Sequence, residues 1–130
     1  MTGYRGYIFS RPFQGERVPQ HIQNLVIRDY CQRSKLVFLL SAAEYAMPDC
    51  HLIWHQILDD LPNLDGIVAY SLYQLPQSKK NRLESYRKIV AINKSLHFAV
   101  EGMKVFDNES AAKVEQIWEI HQAMGMGRRE

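Results

Sequence analysis

Residues 6–13 read GYIFSRPF, and the parsing of this stretch decides the fold. Tyr7, Ile8 and Phe9 suit a buried strand, and the chain passes directly from them into Ser10, Arg11 and Pro12. A short apolar run that ends abruptly in polar residues is how a parallel strand leaves a sheet covered on both faces. Working outward, three more runs share that character: LVFLL (Leu36–Leu40), GIVAY (Gly66–Tyr70) and LHFAV (Leu96–Val100). The segments between them carry helical spacing instead. Ile22, Leu25, Val26 and Tyr30 form one stripe over residues 19–33, with Pro19 in the first turn, where its missing N–H costs nothing. Cys50, Ile53, Trp54, Ile57 and Leu61 form a second stripe, from Pro48 onward. Ser78 is placed to cap a third helix bearing Leu83, Tyr86 and Val90. Asp107 or Asn108 caps a fourth, with Val114, Ile117, Trp118 and His121 on one side and Gly125 and Gly127 as its stop.

The alternation of strand and helix predicts a single α/β domain over residues 1–130. It is a three-layer, doubly wound parallel sheet of about four strands with right-handed crossovers, in the order 2-1-3-4. In such sheets ligands sit outside the carboxyl ends of the strands. The polar groups that leave the strands there define a rim: Ser10, Arg11 and Arg17 after the first, Glu44 and Tyr45 after the second, Ser71 and Gln74 after the third, Glu101 after the fourth.

Bulk properties narrow the function classes. The formal charge is only +2, with basic and acidic residues interspersed, so no nucleic-acid footprint is expected. No apolar run approaches the ~18–20 residues of a membrane span, and no signal-peptide core is visible near the start. With Cys31 and Cys50 as the only cysteines, the expectation is a cytoplasmic protein with reduced thiols.

Several chemistries have no matching motif. The loop after the first strand lacks the P-loop pattern, and no G-x-S-x-G elbow surrounds Ser10, Ser41 or Ser71. His51 and His55 are four apart and next to Cys50, but the H-E-x-x-H glutamate is missing, so no metal and no cofactor are expected. Arg11 and Arg17, flanking a turn ahead of a helix, suit a phosphate or carboxylate, although arginines near a turn are often simply solvated. Ser10 and Glu44 are the candidate reacting groups. The alternative for them is structural: a hydroxyl satisfying a turn, and a carboxylate partnering a helix end or an arginine.

Two resemblances bear on these residues. Over residues 4–105, RGYIFS, IRDYCQRSKLVF, IVAYSLYQLPQS and LHFAVEGMKV resemble landmarks of the serine recombinase (resolvase) catalytic domain. That likeness implies the same fold, but it places Phe9 where those enzymes have an arginine, Arg11 where they have serine, and Gln74 and Gln77 where they have paired arginines. Phosphoryl-transfer chemistry needs that positive charge, so a resolvase-type fold without recombination is implied. Over nearly the whole chain, GYIFSRPF, GERVPQHIQNLVIRDYC and EYAMP resemble the small "sporadic carbohydrate cluster" proteins of bacteria. This second likeness implies a setting in surface-polysaccharide and unusual-sugar biosynthesis. With it in view, Arg11, Arg17, Gln20, Asn24 and Arg28, with Tyr45, Ser71 and Gln74, become a ligand-binding set for an anionic sugar or nucleotide sugar. Docking onto a pathway enzyme is the alternative, nucleic acid and membrane are not expected partners, and a homo-oligomer is left open.

Overall fold

β1 (Tyr4–Phe9) is the strand around which the rest of the sheet is built. A computed structural model describes residues 2–128. β1 pairs in parallel with β2 (Phe38–Glu44) on one side and β3 (Gly66–Ala69) on the other. β4 (Ser95–Phe98) continues the parallel set, and β5 (Met103–Val105) runs antiparallel to it, giving the order β2-β1-β3-β4-β5. The crossovers are α1 (Gln20–Arg33), α2 (Leu52–Asp59) and α3 (Lys79–Ala91), and α4 (Asn108–Arg128) follows β5.

Alternation along β1 sends its side chains into two cores. Tyr7 and Phe9 join the larger one, with Trp54 and Ile57 of α2, Ile89 of α3 and Trp118 of α4. Ile8 enters the smaller one, against Ile27, Tyr30 and Cys31 of α1. Gly6 is glycine because β2 crosses it closely: a Cβ there would collide with the Ser41 hydroxyl and lie 3.1 Å from the Phe38 ring. At this place the pairing slips, from Arg5 opposite Leu39 to Gly6 opposite Ser41. Leu40 is the extra residue of that bulge, with its carbonyl taken by Arg5 Nη1 at 2.7 Å.

The α/β class and the 2-1-3-4 core of the order are as the sequence predicts, and five details differ. The antiparallel β5 is additional: Gly102, at φ 69°, supplies the turn that folds it back onto β4. β2 begins at Phe38 and continues through Ser41–Glu44, because pairing with β1 outlasts the apolar run. α2 starts at Leu52, so Cys50 lies in the preceding loop, and α4 runs through Gly125 and Gly127 to Arg128. The buried face of α1 is Gln23, Ile27, Tyr30 and Cys31, while Ile22 and Leu25 are exposed. A glutamine replaces an apolar residue there because the strand ends beneath it need hydrogen bonds. Both cysteines are free, and burial pushes the Cys31 thiol up to about 11.

Candidate functional site

The exits of β1, β2 and β3 converge, and Gln23 ties two of them together. It is fully buried. Its Oε1 accepts from Phe9 N, and its Nε2 donates to the carbonyls of Phe9 and Val18, at 2.9, 2.9 and 2.8 Å. Gln74 Nε2 then donates to Gln23 Oε1 at 2.9 Å, linking the β3 exit to that of β1. Gln74 also closes a capping box with Ser71, whose hydroxyl donates to Glu101 Oε2 at 2.8 Å. These amides complete one another's bonding and hold the rim in one shape.

Glu44, a candidate acid or base by sequence, has both carboxylate oxygens engaged by neighbouring groups. Oε1 accepts from the Tyr7 hydroxyl at 2.8 Å and from Trp54 N at 3.0 Å. Oε2 accepts from Ile53 N at 3.0 Å, Tyr45 N at 3.2 Å and the Cys50 thiol at 3.6 Å. Those donors fill a carboxylate's acceptor sites and leave none for a substrate. Burial pulls its pKa up, but the bonds from Ile53 N, Trp54 N, Tyr7 and Tyr45 N outweigh this and hold it below the usual carboxylate range. Ser10 is likewise turned inward, donating to the Glu44 carbonyl at 2.6 Å. A main-chain carbonyl cannot take up a proton, so this contact does not activate the hydroxyl.

Beside these groups opens a cavity of about 350 Å³, lined among others by Arg11, Phe13, Asp49, His51, Tyr73 and Gln77. Its size is at the small end of ordinary ligand sites, ~300–1,000 Å³. Arg11 is held flat, with its guanidinium 4.1 Å from the centre of the Phe9 ring and Nη1 bonded to the Tyr45 carbonyl at 2.8 Å. One donor is spent on that carbonyl and the others remain for a ligand. His51 lines the same cavity, with Nε2 3.0 Å from the Gln74 carbonyl. That oxygen can only accept, so Nε2 carries the proton. Burial pushes the pKa of His51 down, and the nearby Arg11 pushes it further. Tyr73 is the aromatic wall, its ring centre 4.1 Å from that of His121 on α4. The hairpin Phe13–Glu16, tight because Gln14 and Gly15 have φ of 56° and 75°, reaches back to contact His121 through Gln14.

The sequence-named residues thus divide. Arg11 lines the cavity, and Tyr45 contributes its carbonyl through Arg11. Gln74 and Ser71 are buried supports. Arg17 and Gln20 are exposed and outside the lining, and Arg28 instead sits over the Phe38 ring at 5.2 Å, so these three do not join the site. Asn24 is not in the lining either, and its Oδ1 is buried with no partner. Among the described residues no group of three His, Cys, Asp or Glu side chains could hold a metal ion, and no helix is long and apolar enough to cross a membrane. Gln23, Asp49 and Tyr73 were not singled out by sequence, and His51 entered only as a metal candidate. Gln23 had a usable signal: it falls in register with Ile27, Tyr30 and Cys31.

The parallel core with an antiparallel fifth strand and four helices is a resolvase-like α/β domain. Two solved structures share it. One is a resolvase family site-specific recombinase from Streptococcus pneumoniae, with a TM-score of 0.66 and 10% identity over 92% of this chain and 89% of that one. The other is the N-terminal catalytic domain of TP901-1 integrase, with a TM-score of 0.57 and 12% identity over 96% of this chain and 99% of that one. No protein-family model matches the chain, and no curated protein does.

Proposed function

We propose that this domain binds an anionic sugar, either a nucleotide sugar or a sugar acid, in bacterial surface-polysaccharide biosynthesis, and that it does so without recombinase chemistry. The observation that carries this reading is the cavity in which Arg11, pinned by Phe9 and the Tyr45 carbonyl, shares the lining with His51 and Tyr73. A fixed guanidinium suits a carboxylate or phosphate, and an aromatic wall suits the apolar face of a sugar ring. The biosynthetic setting rests on the sequence signatures quoted above. The absence of recombination rests on two side chains: Gln74, at one arginine-equivalent position, is buried against Gln23, and Ser10 bonds a carbonyl. Binding rather than catalysis is favoured because neither Ser10 nor Glu44 is free to react.

Thermal melting against a panel of sugar acids, sugar phosphates and nucleotide sugars tests the reading. A class-specific rise in melting temperature that Arg11→Ala abolishes is the expected result. Silence across the panel would overturn it and favour docking onto a pathway enzyme, for which the exposed Tyr45, Met47 and Leu52 beside the rim provide an apolar surface. Cleavage of supercoiled plasmid dependent on Ser10 would overturn the claim that recombinase chemistry is lost.

A further inference from the structure

The rim cavity does not end at His51. A second cavity, of about 300 Å³, lies between the start of α2 and the start of α3. Asp49, His51 and Gln77 line both, so the two cavities are adjacent and these residues stand between them as a neck, and we treat the two as compartments of one cleft. Their linings differ in kind. The first contains Arg11 and the aromatic residues Phe9, Phe13 and Tyr73. The second adds Leu52, His55, Pro76, Ser78 and Asn81, with no lysine or arginine and no phenylalanine, tyrosine or tryptophan ring. The side chains of Asp49, His55, Gln77 and Asn81 make no hydrogen bond to another described residue, which leaves their donors and acceptors for a ligand. Asp49 sits at the neck with φ 60°, a left-handed conformation that a non-glycine residue adopts at some cost, as is frequent at functional sites.

An acid and a polyol would sort themselves in this cleft. An anionic group is drawn to Arg11, which lines only the first compartment. Carboxylate, amide, hydroxyl and imidazole groups without a cation match the mixed donors and acceptors of neutral sugar hydroxyls. Resting on the reading of an anionic sugar ligand, we infer that the cleft takes an acidic oligosaccharide: the acid-bearing sugar lies against Arg11 and Tyr73, and a linked neutral sugar lies against Asp49, His55 and Asn81. The specificity is then for the linkage, because a lone acidic sugar fills only one compartment.

Matched probes decide this: N-acetylneuraminic acid against sialyllactose, and glucuronic acid against its disaccharide with glucose, each titrated calorimetrically. The expected result is that at least one conjugate binds ten-fold or more tighter than its free acid. His55→Ala with Asn81→Ala should bring that ratio down to about one, whereas Lys88→Ala on the exposed outer face of α3 should leave it unchanged. Equal affinity for acid and conjugate would overturn the two-compartment inference and leave the anionic-sugar reading standing. Binding of neither acid nor conjugate would overturn the two-compartment inference and the sugar-acid form of the reading beneath it. A preference that survives the double substitution would overturn the placement of the neutral sugar.

Discussion

Two carboxylates are buried among the described residues, and the chain stabilises them in opposite ways. Glu44, at the end of β2, has no cation among its hydrogen-bond partners and is held by main-chain N–H groups at the start of α2. Glu115, on α4, receives a bidentate arginine: Arg82 Nε and Nη2 reach its two oxygens at 2.9 and 2.8 Å. Each also accepts a tyrosine hydroxyl, Tyr7 for Glu44 and Tyr86 for Glu115. Burial, followed by the neighbouring carboxylate, pushes both phenols up. The difference lies in what is held. The Glu44 set fixes one helix to one strand. The Arg82 set fixes α3 to α4 and, through the carbonyls of Pro76 and Gln77 and the Trp118 ring 4.4 Å away, also holds the loop at the neck of the cleft. Dipoles suffice where a helix end is at hand, and a full counter-charge appears where two helix sides meet.

The sharpest way to break the comparison is Arg82→Met. It leaves Glu115 buried without its cation, and unfolding in denaturant should show a loss of about 3–5 kcal/mol. Arg82→Met combined with Glu115→Leu should recover most of that, because a buried pair is dispensable where a buried single charge is not. A single substitution as mild as the double would mean the pair is solvated.

His97 offers a third solution, a buried polar group kept neutral. Its Nδ1 lies 2.7 Å from the Tyr30 hydroxyl and its Nε2 2.9 Å from Ser95 Oγ. Burial, aided by Lys104, pushes its pKa from 6.5 down to about 4. In the window between those values the unfolded chain binds a proton that the folded chain refuses. Stability is therefore complete above about pH 6.5 and falls as the pH drops towards 4, by roughly 3 kcal/mol in all from this group. Parallel unfolding curves should show the parent losing stability relative to His97→Gln as the pH falls through that window.

Glu44→Gln is the milder counterpart of the arginine substitution. It keeps the shape but removes the charge-assisted bonds from Ile53 N and Trp54 N, for an expected cost of about 1.5–3 kcal/mol at neutral pH. The sign follows from its lowered pKa: the contribution is present above the unfolded carboxylate's range near 4.3 and is lost as the pH falls through the folded value. The parent and variant should therefore differ at pH 7 and approach each other in acid. Smallest in stability is Arg11→Ala, expected to change unfolding by less than ~0.5 kcal/mol because the residue holds no core element. Its effect belongs to ligand binding, where losing one charge-assisted contact costs about ten-fold or more.

The sequence exposes what periodicity encodes and hides what pairing decides. The four parallel strands and their order are legible because each apolar run is bounded by turn residues. The end of β2 is not, since Ser41, Ala42 and Ala43 carry no strand signal and are recruited by hydrogen bonding to β1. The helix faces of α1 and α3 were read about one position off because each buries polar residues: Gln23 in one, Arg82 and Ser85 in the other. A scale that counts only apolar residues rotates such a helix towards its exposed side. The rim itself was foreseeable, and so was Arg11. The support beneath it was not, because Glu44 and Gln74 look like ligand-facing groups until their partners are known.

The bulge at Leu40 has a consequence for the molecule among its own kind. β2 is one of the two edge strands of the sheet, and an open strand is a template on which another chain can add. Here the template is spoiled in the middle. The extra residue breaks the regular spacing of free N–H and carbonyl groups, and Arg5 occupies the carbonyl of Leu40. An incoming strand would meet a misphased ladder and a guanidinium already in place. A single irregularity thereby makes the apolar FLL edge a poorer template for an added strand.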